Sequence, residues 1–136
     1  MIGWKRFLMR WHISLLALLL PDVTKRLPLR MILIWLTPAR PSRLYHGLDE
    51  QIVLAMVRQR LARPWRMRGR RCLREGLLCL YFLRLIDVPA VLHFGVFQKV
   101  KGREVAHCWV VVRDRCVTPP PQQKFVPILI HPLPLH

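Results

Sequence analysis

The chain is predicted to fold as an α+β domain: helices first, then a central cysteine-bearing helix packed on a small antiparallel sheet. Three observations carry that prediction. The first third is dense in Leu, Ile, Met and Arg, in stretches cut by prolines. The segment RRCLREGLLCLYFLRLID is apolar on almost every helical face, as a helix surrounded by other structure must be. The segments AVLHFGVF and VAHCWVVV are short runs rich in valine and aromatics, joined by the polar loop QKVKGRE, as paired strands are.

Residues 1–36 read as two helical stretches broken near Pro21 and Pro28. Lys5, Arg6 and Arg10 precede an apolar run from Ile13 to Leu20, an outline shared with secretion signals. That run stops at Pro21-Asp22 with no small-residue cleavage site, and it falls short of the ~20 apolar residues that cross a bilayer. The run Met31–Leu36 has the same limit. Both are expected to be packed or membrane-grazing helices, with only weak membrane contact. Pro38, Pro41 and Ser42 mark a loop. The segment 1–47 is therefore assigned as helical, and 48–136 as the core of the same compact domain, since 136 residues leave room for one modest core.

The core begins with a helix from Leu48 to Leu61, with Asp49 and Glu50 suited to its positive end. Pro64 closes it, and the arginine-dense WRMRGRR leads into the central helix, Arg71–Ile86. Pro89 restarts the chain as a strand over 90–97, and a second strand covers Val105–Val112. Arg113-Asp114 makes a hairpin turn into a short strand at Cys116 and Val117. The proline-rich tail TPPPQQKFVPILIHPLPLH is expected to run extended over the surface.

A net charge of +16 favours an acidic partner. Nucleic acid is not expected, because the aromatics are not interleaved with the basic residues as stacking platforms require. The four cysteines, Cys72, Cys79, Cys108 and Cys116, contain no C-x-x-C pair. A set of Cys79, His93, Cys108 and His107 matches no zinc spacing, so no metal and no cofactor is expected. One functional thiol and three small buried hydrophobes suit a reducing cytoplasm.

Cys72 is the chemical candidate. It falls in the first turn of the central helix, beside Arg68, Arg70, Arg71 and Arg74, and both the helix dipole and the cations favour thiolate. The bland alternative is a buried small hydrophobe. His107, 35 positions on in a strand, is the candidate proton partner; it shares a face with Trp109 and Val111, opposite Cys108, Val110 and Val112. A structural strand histidine is the plain reading, and His93 competes with it. The only serines, Ser14 and Ser42, lack any nucleophile context, and no carboxylate pair has glycosidase character.

The stretch PWRMRGRRCLREGLLCLYFLRLIDVPAVLHFGVF, followed by AHCWVVV, resembles the B proteins of lasso-peptide biosynthesis, leader peptidases with a transglutaminase-like fold. Trp65-Arg66, Cys72-Leu73-Arg74, Leu92-His93-Phe94-Gly95-Val96 and Ala106-His107-Cys108-Trp109-Val110 stand where that family has its motifs, over roughly residues 50–128. The resemblance implies that Cys72 attacks the bond between leader and core of a precursor peptide, with His107 exchanging protons. It also implies a separate leader-recognition protein, because the apolar first 60 residues do not suit the leader-binding module of longer members, and an ATP-dependent lasso macrocyclase downstream. One departure stands out. The family usually places an aspartate twelve positions after the histidine; here that position is Pro119. Asp114 is the nearest acid and is carried as the third catalytic candidate, with Gln122 as a substitute. A basic binding protein of the same fold that has lost catalysis is the alternative.

Overall fold

Helix α4 (Arg71–Leu85) occupies the middle of the molecule: Leu77, Leu78, Leu80, Phe82 and Leu83 are fully buried. One side of it packs on a sheet and the other on α1 (Ile2–Arg26) and α3 (Glu50–Leu61), which is why its sequence is apolar all round. The computed structural model describes residues 2–62, 71–98, 104–118 and 126–132. Pro64, the WRMRGR of residues 65–70, most of QKVKGRE, Pro119 and Gln122 lie outside the described residues.

The sheet is antiparallel in the order β3-β2-β1-β4, built from β1 (Ala90–Gln98), β2 (Glu104–Val112), β3 (Arg115–Cys116) and β4 (Val126–His131). β1 pairs with β2 along its whole length, His93 opposite Trp109 and Gly95 opposite His107. Alternation puts Ala90, Leu92, Cys108, Val110 and Val112 against α4, all of them buried. The approach is close. A Cβ built on Gly76 of α4 would lie 2.7 Å from Leu92 Cδ1 and 3.4 Å from Cys108 Sγ, so glycine is what lets helix and sheet meet here.

Three expectations are corrected. Pro21 does not break the first helix; α1 runs through it to Arg26, and the break comes at Pro28. A proline inside a helix costs one hydrogen bond and ~3 kcal/mol. Met9, Ile13, Ala17 and Leu20 recur at helical spacing and are buried in the core, so packing holds the turns on the N-terminal side of the proline in register. In consequence Gly3–Arg26 is long and apolar enough to cross a bilayer by length and composition, which the short run Ile13–Leu20 is not. The tail is not wholly a surface strap: Val126–His131 forms strand β4 on the edge of β1, with a bulge between Phe94 and Gly95, and an edge strand tolerates Pro127. Cys116 is exposed, not a buried hydrophobe.

Helix α2 (Leu29–Trp35) and a 3-10 turn (Arg43–Tyr45) complete the described chain. Both help knit the N-terminal segment to the rest. His12 Nδ1 lies 3.0 Å from the Tyr45 hydroxyl and Nε2 lies 3.4 Å from that of Tyr81, while the ring meets Phe82 edge-on at 4.9 Å. Thr37 Oγ1 and His131 Nε2, 2.9 Å apart, join the segment after α2 to β4.

Candidate active site

Cys72 sits in the first turn of α4, where the helix's free N–H groups point outward and its dipole favours negative charge. It lines a cleft of about 580 Å³ together with Arg58, Ala62, Glu75, His107, Cys108 and Thr118. The structure thus brings Cys72 and His107 into one cleft. Neighbouring residues of a strand leave on opposite sides, yet both His107 and Cys108 face this space. The cleft therefore lies at the edge of β2 rather than over one face of the sheet.

That edge is shaped by the chain beyond β3. β3 pairs only with Val111 and Val112. The next residues run back along β2: Val117 N donates to Val110 O at 2.9 Å, and Val110 N donates to Thr118 Oγ1 at 2.9 Å. Arg58 of α3 ties down the same stretch by donating to Val117 O at 2.6 Å. Thr118 is thereby buried in the cleft wall.

The Cys72 thiol is held down at about 5, against an ordinary 9.0. The largest cause is a hydrogen bond with the Cys108 side chain; burial opposes it, and a Cys108 backbone hydrogen bond, the charge of His107 and a hydrogen bond with His107 add to it. The same contact pushes the Cys108 thiol far up, so Cys108 keeps its proton and donates to the Cys72 thiolate. Among the described residues this thiol pair, rather than an arginine, is the main cause of the ionisation; Arg68 and Arg70 lie outside the described residues. Cys79, two turns along α4, is almost fully buried and its thiol is pushed up by desolvation, an inert packing residue as expected.

His107 is half-buried, and its ring stacks on Trp109 at 6.1 Å and 19°. His93 packs on Trp109 as well, at 5.7 Å, and is not among the cleft residues. Asp114 is not brought to His107. It occupies the β2–β3 turn, exposed, with φ 66°, while His107 is the fourth residue of β2, five residues of strand or ~17 Å before that turn begins. The carboxylate that lines the cleft is Glu75, buried one helical turn after Cys72, close enough for its charge to raise both Cys79 and Cys108. Its signal was the three-residue spacing Cys72-Leu73-Arg74-Glu75, which puts thiol and acid on one helix face. Thr118 carried no sequence signal. Among the described residues, no group of three or more His, Cys, Asp or Glu side chains is arranged to hold a metal ion.

The arrangement supplies an ionised nucleophile at a helix N-terminus, a hydrogen-bonded imidazole and a buried carboxylate in one cleft, the parts of a thiol acyl-transfer centre. A search of curated proteins and one of solved structures each returned no match. A family model described as the transglutaminase-like superfamily matches residues 7–130.

Proposed function

Because the chain belongs to the transglutaminase-like superfamily, which includes cysteine peptidases, we propose that it is a cysteine peptidase that removes the leader from a lasso-type precursor peptide before macrocyclisation. The observation that carries this reading is that Cys72, in the first turn of α4, shares one cleft with His107, whose charge helps hold the thiol down. In the proposed reaction the Cys72 thiolate adds to the scissile carbonyl. The oxyanion is met by backbone N–H groups of the first turn of α4. His107 gives a proton to the departing amine, and then takes one from the water that hydrolyses the thioester.

The motifs AHCWV and LHFGV and the thiol at Cys72 support the lasso-peptide assignment through their resemblance to the B proteins of that pathway. The proposal places the protein in the cytoplasm, with a separate leader-recognition protein and an ATP-dependent macrocyclase as partners. The +16 charge suits an acidic peptide. A second reading, a basic binding protein without catalysis, is favoured by Pro119 at the position of the family's aspartate.

The test is mass spectrometry of a lasso-type precursor peptide incubated with the full chain, with and without a leader-recognition protein as the proposed neighbour. Cleavage at a single bond, lost in Cys72→Ala, is the expected result. A precursor left intact by the wild type, yet bound equally well by wild type and Cys72→Ala, favours the binding protein. Efficient cleavage without the neighbour overturns the requirement for a separate recognition protein.

A further inference from the structure

Helix α1 is apolar on two opposite sides. Met9 and Ile13 are 0% and 1% exposed in the core. Trp4, Phe7, Trp11, Leu15 and Leu18 recur at three- and four-residue steps on the outward side, with Phe7 61% and Trp11 65% exposed. Leu19 widens the stripe, which extends ~22 Å along the helix. Across the turn at Pro28, α2 turns Ile34 and Trp35 outward as well, while Ile32 and Leu33 go into the core. Surfaces this apolar and continuous mark an interaction site.

What borders the stripe identifies its occupant. Exposed Arg10 borders the stripe on one side, with exposed Arg6 further round at the N-terminal end, and exposed Lys25 and Arg26 close its C-terminal end beside Asp22. Asp22 is the only carboxylate in residues 1–48. Tryptophan and phenylalanine on an outward helix face with arginine beside them are the composition of a helix lying in a bilayer interface, the rings at headgroup depth and the cations on anionic headgroups. A spanning orientation is opposed by Met9, Ile13, Ala17 and Leu20, which bind the other side of the same helix into the core.

We infer that the outward face of α1, joined by α2, docks this protein on an anionic membrane surface, with α1 parallel to the plane of the bilayer. The domain then sits on the headgroups as a peripheral protein, held by one face of a helix whose other face is structural.

The test is co-sedimentation of the full chain with vesicles of phosphatidylcholine alone and of phosphatidylcholine with phosphatidylglycerol, at low and high salt. Partition is expected on the anionic vesicles and weaker at high salt. It should drop at least ~tenfold in Phe7→Ser/Trp11→Ser, whose side chains are already exposed, and fall also in Arg6→Gln/Arg10→Gln. Circular dichroism confirms that each variant is folded; should the first unfold, the arginine pair alone decides. Failure to sediment with anionic vesicles overturns the inference. So does equal partition of wild type and both variants, retention in the membrane after alkaline carbonate, or a soluble dimer that Phe7→Ser/Trp11→Ser dissociates.

Discussion

The side chains of Cys108 on β2 and Cys72 on α4 meet in one cleft, and among the described residues the Cys108 thiol does most to keep the Cys72 sulfur ionised. The residue next to the imidazole in sequence therefore does more for the nucleophile's charge than the imidazole itself. Their division of labour is measurable. The pH profile of Cys72 alkylation, followed by intact mass, should have its midpoint near pH 5 in the wild type. Cys108→Ala should move that midpoint up further than His107→Ala does. A wild-type midpoint near 8.5, the value of a free thiol, would show that the cleft is not assembled.

The two acids are expected to part company. Asp114→Asn, at the exposed turn, should leave both Cys72 alkylation and precursor cleavage unchanged. Glu75→Gln, in the cleft, should lower the cleavage rate at least ~tenfold while the protein remains folded. Steady-state cleavage of the precursor by the two variants decides the matter; the reverse order would return the role to Asp114.

Gly76→Ala sets two effects against each other. Alanine favours the helix by ~1 kcal/mol. Its Cβ, 2.7 Å from the fully buried Leu92 Cδ1, forces α4 and the sheet apart at a cost of ~1–3 kcal/mol. Leu92 is fully buried between α4 and the sheet, so a net loss is expected, read as a lower urea midpoint. Cys108 moves with the sheet, and the alkylation midpoint of Cys72 should rise at the same time.

Acid should loosen the fold over a defined range. Burial lowers the pKa of His12, His93 and His131 below 6.5, so the folded state binds fewer protons than the unfolded chain. Their contribution to stability is complete above pH 6.5 and is lost as the pH falls through their folded values. Cys72 has the same sign: its contribution is present above 9.0 and declines toward about pH 5. Urea midpoints should therefore fall between pH 7.5 and pH 5.5, and a His12→Phe variant should lose part of that dependence.

Much of this architecture was legible because it rests on local patterns. The all-round apolarity of Leu77–Leu83 announced a central helix, and the valine-rich runs around His93 and His107 announced paired strands. Arg113-Asp114 was readable as a hairpin, since a turn needs only local chemistry. What escaped depended on contacts distant in sequence. Pro21 reads as a helix breaker until Leu20 and Ala17 are seen buried around it. Val126–His131 reads as a tail until β1 offers it an edge. At the site, the cysteine and histidine were marked by their segments. Cys108 looked like packing because alternation turns it away from His107, and no pattern in the chain says that the cleft opens at the strand's edge.

The hairpin at Arg113-Asp114 governs more than its own two strands. Both residues hold left-handed backbone, φ 48° and 66°, and the chain that leaves them carries Thr118 to the cleft wall. In that return segment Val117 packs against the core while its neighbour Thr118 lines the cleft, so the turn's length acts as a gear. One residue inserted there would bring valine to the wall and turn the threonine away from it, changing a polar lining to an apolar one with every residue of the thiol centre left in place. Related chains that differ only in this turn are thus expected to differ in what they accept beside Cys72.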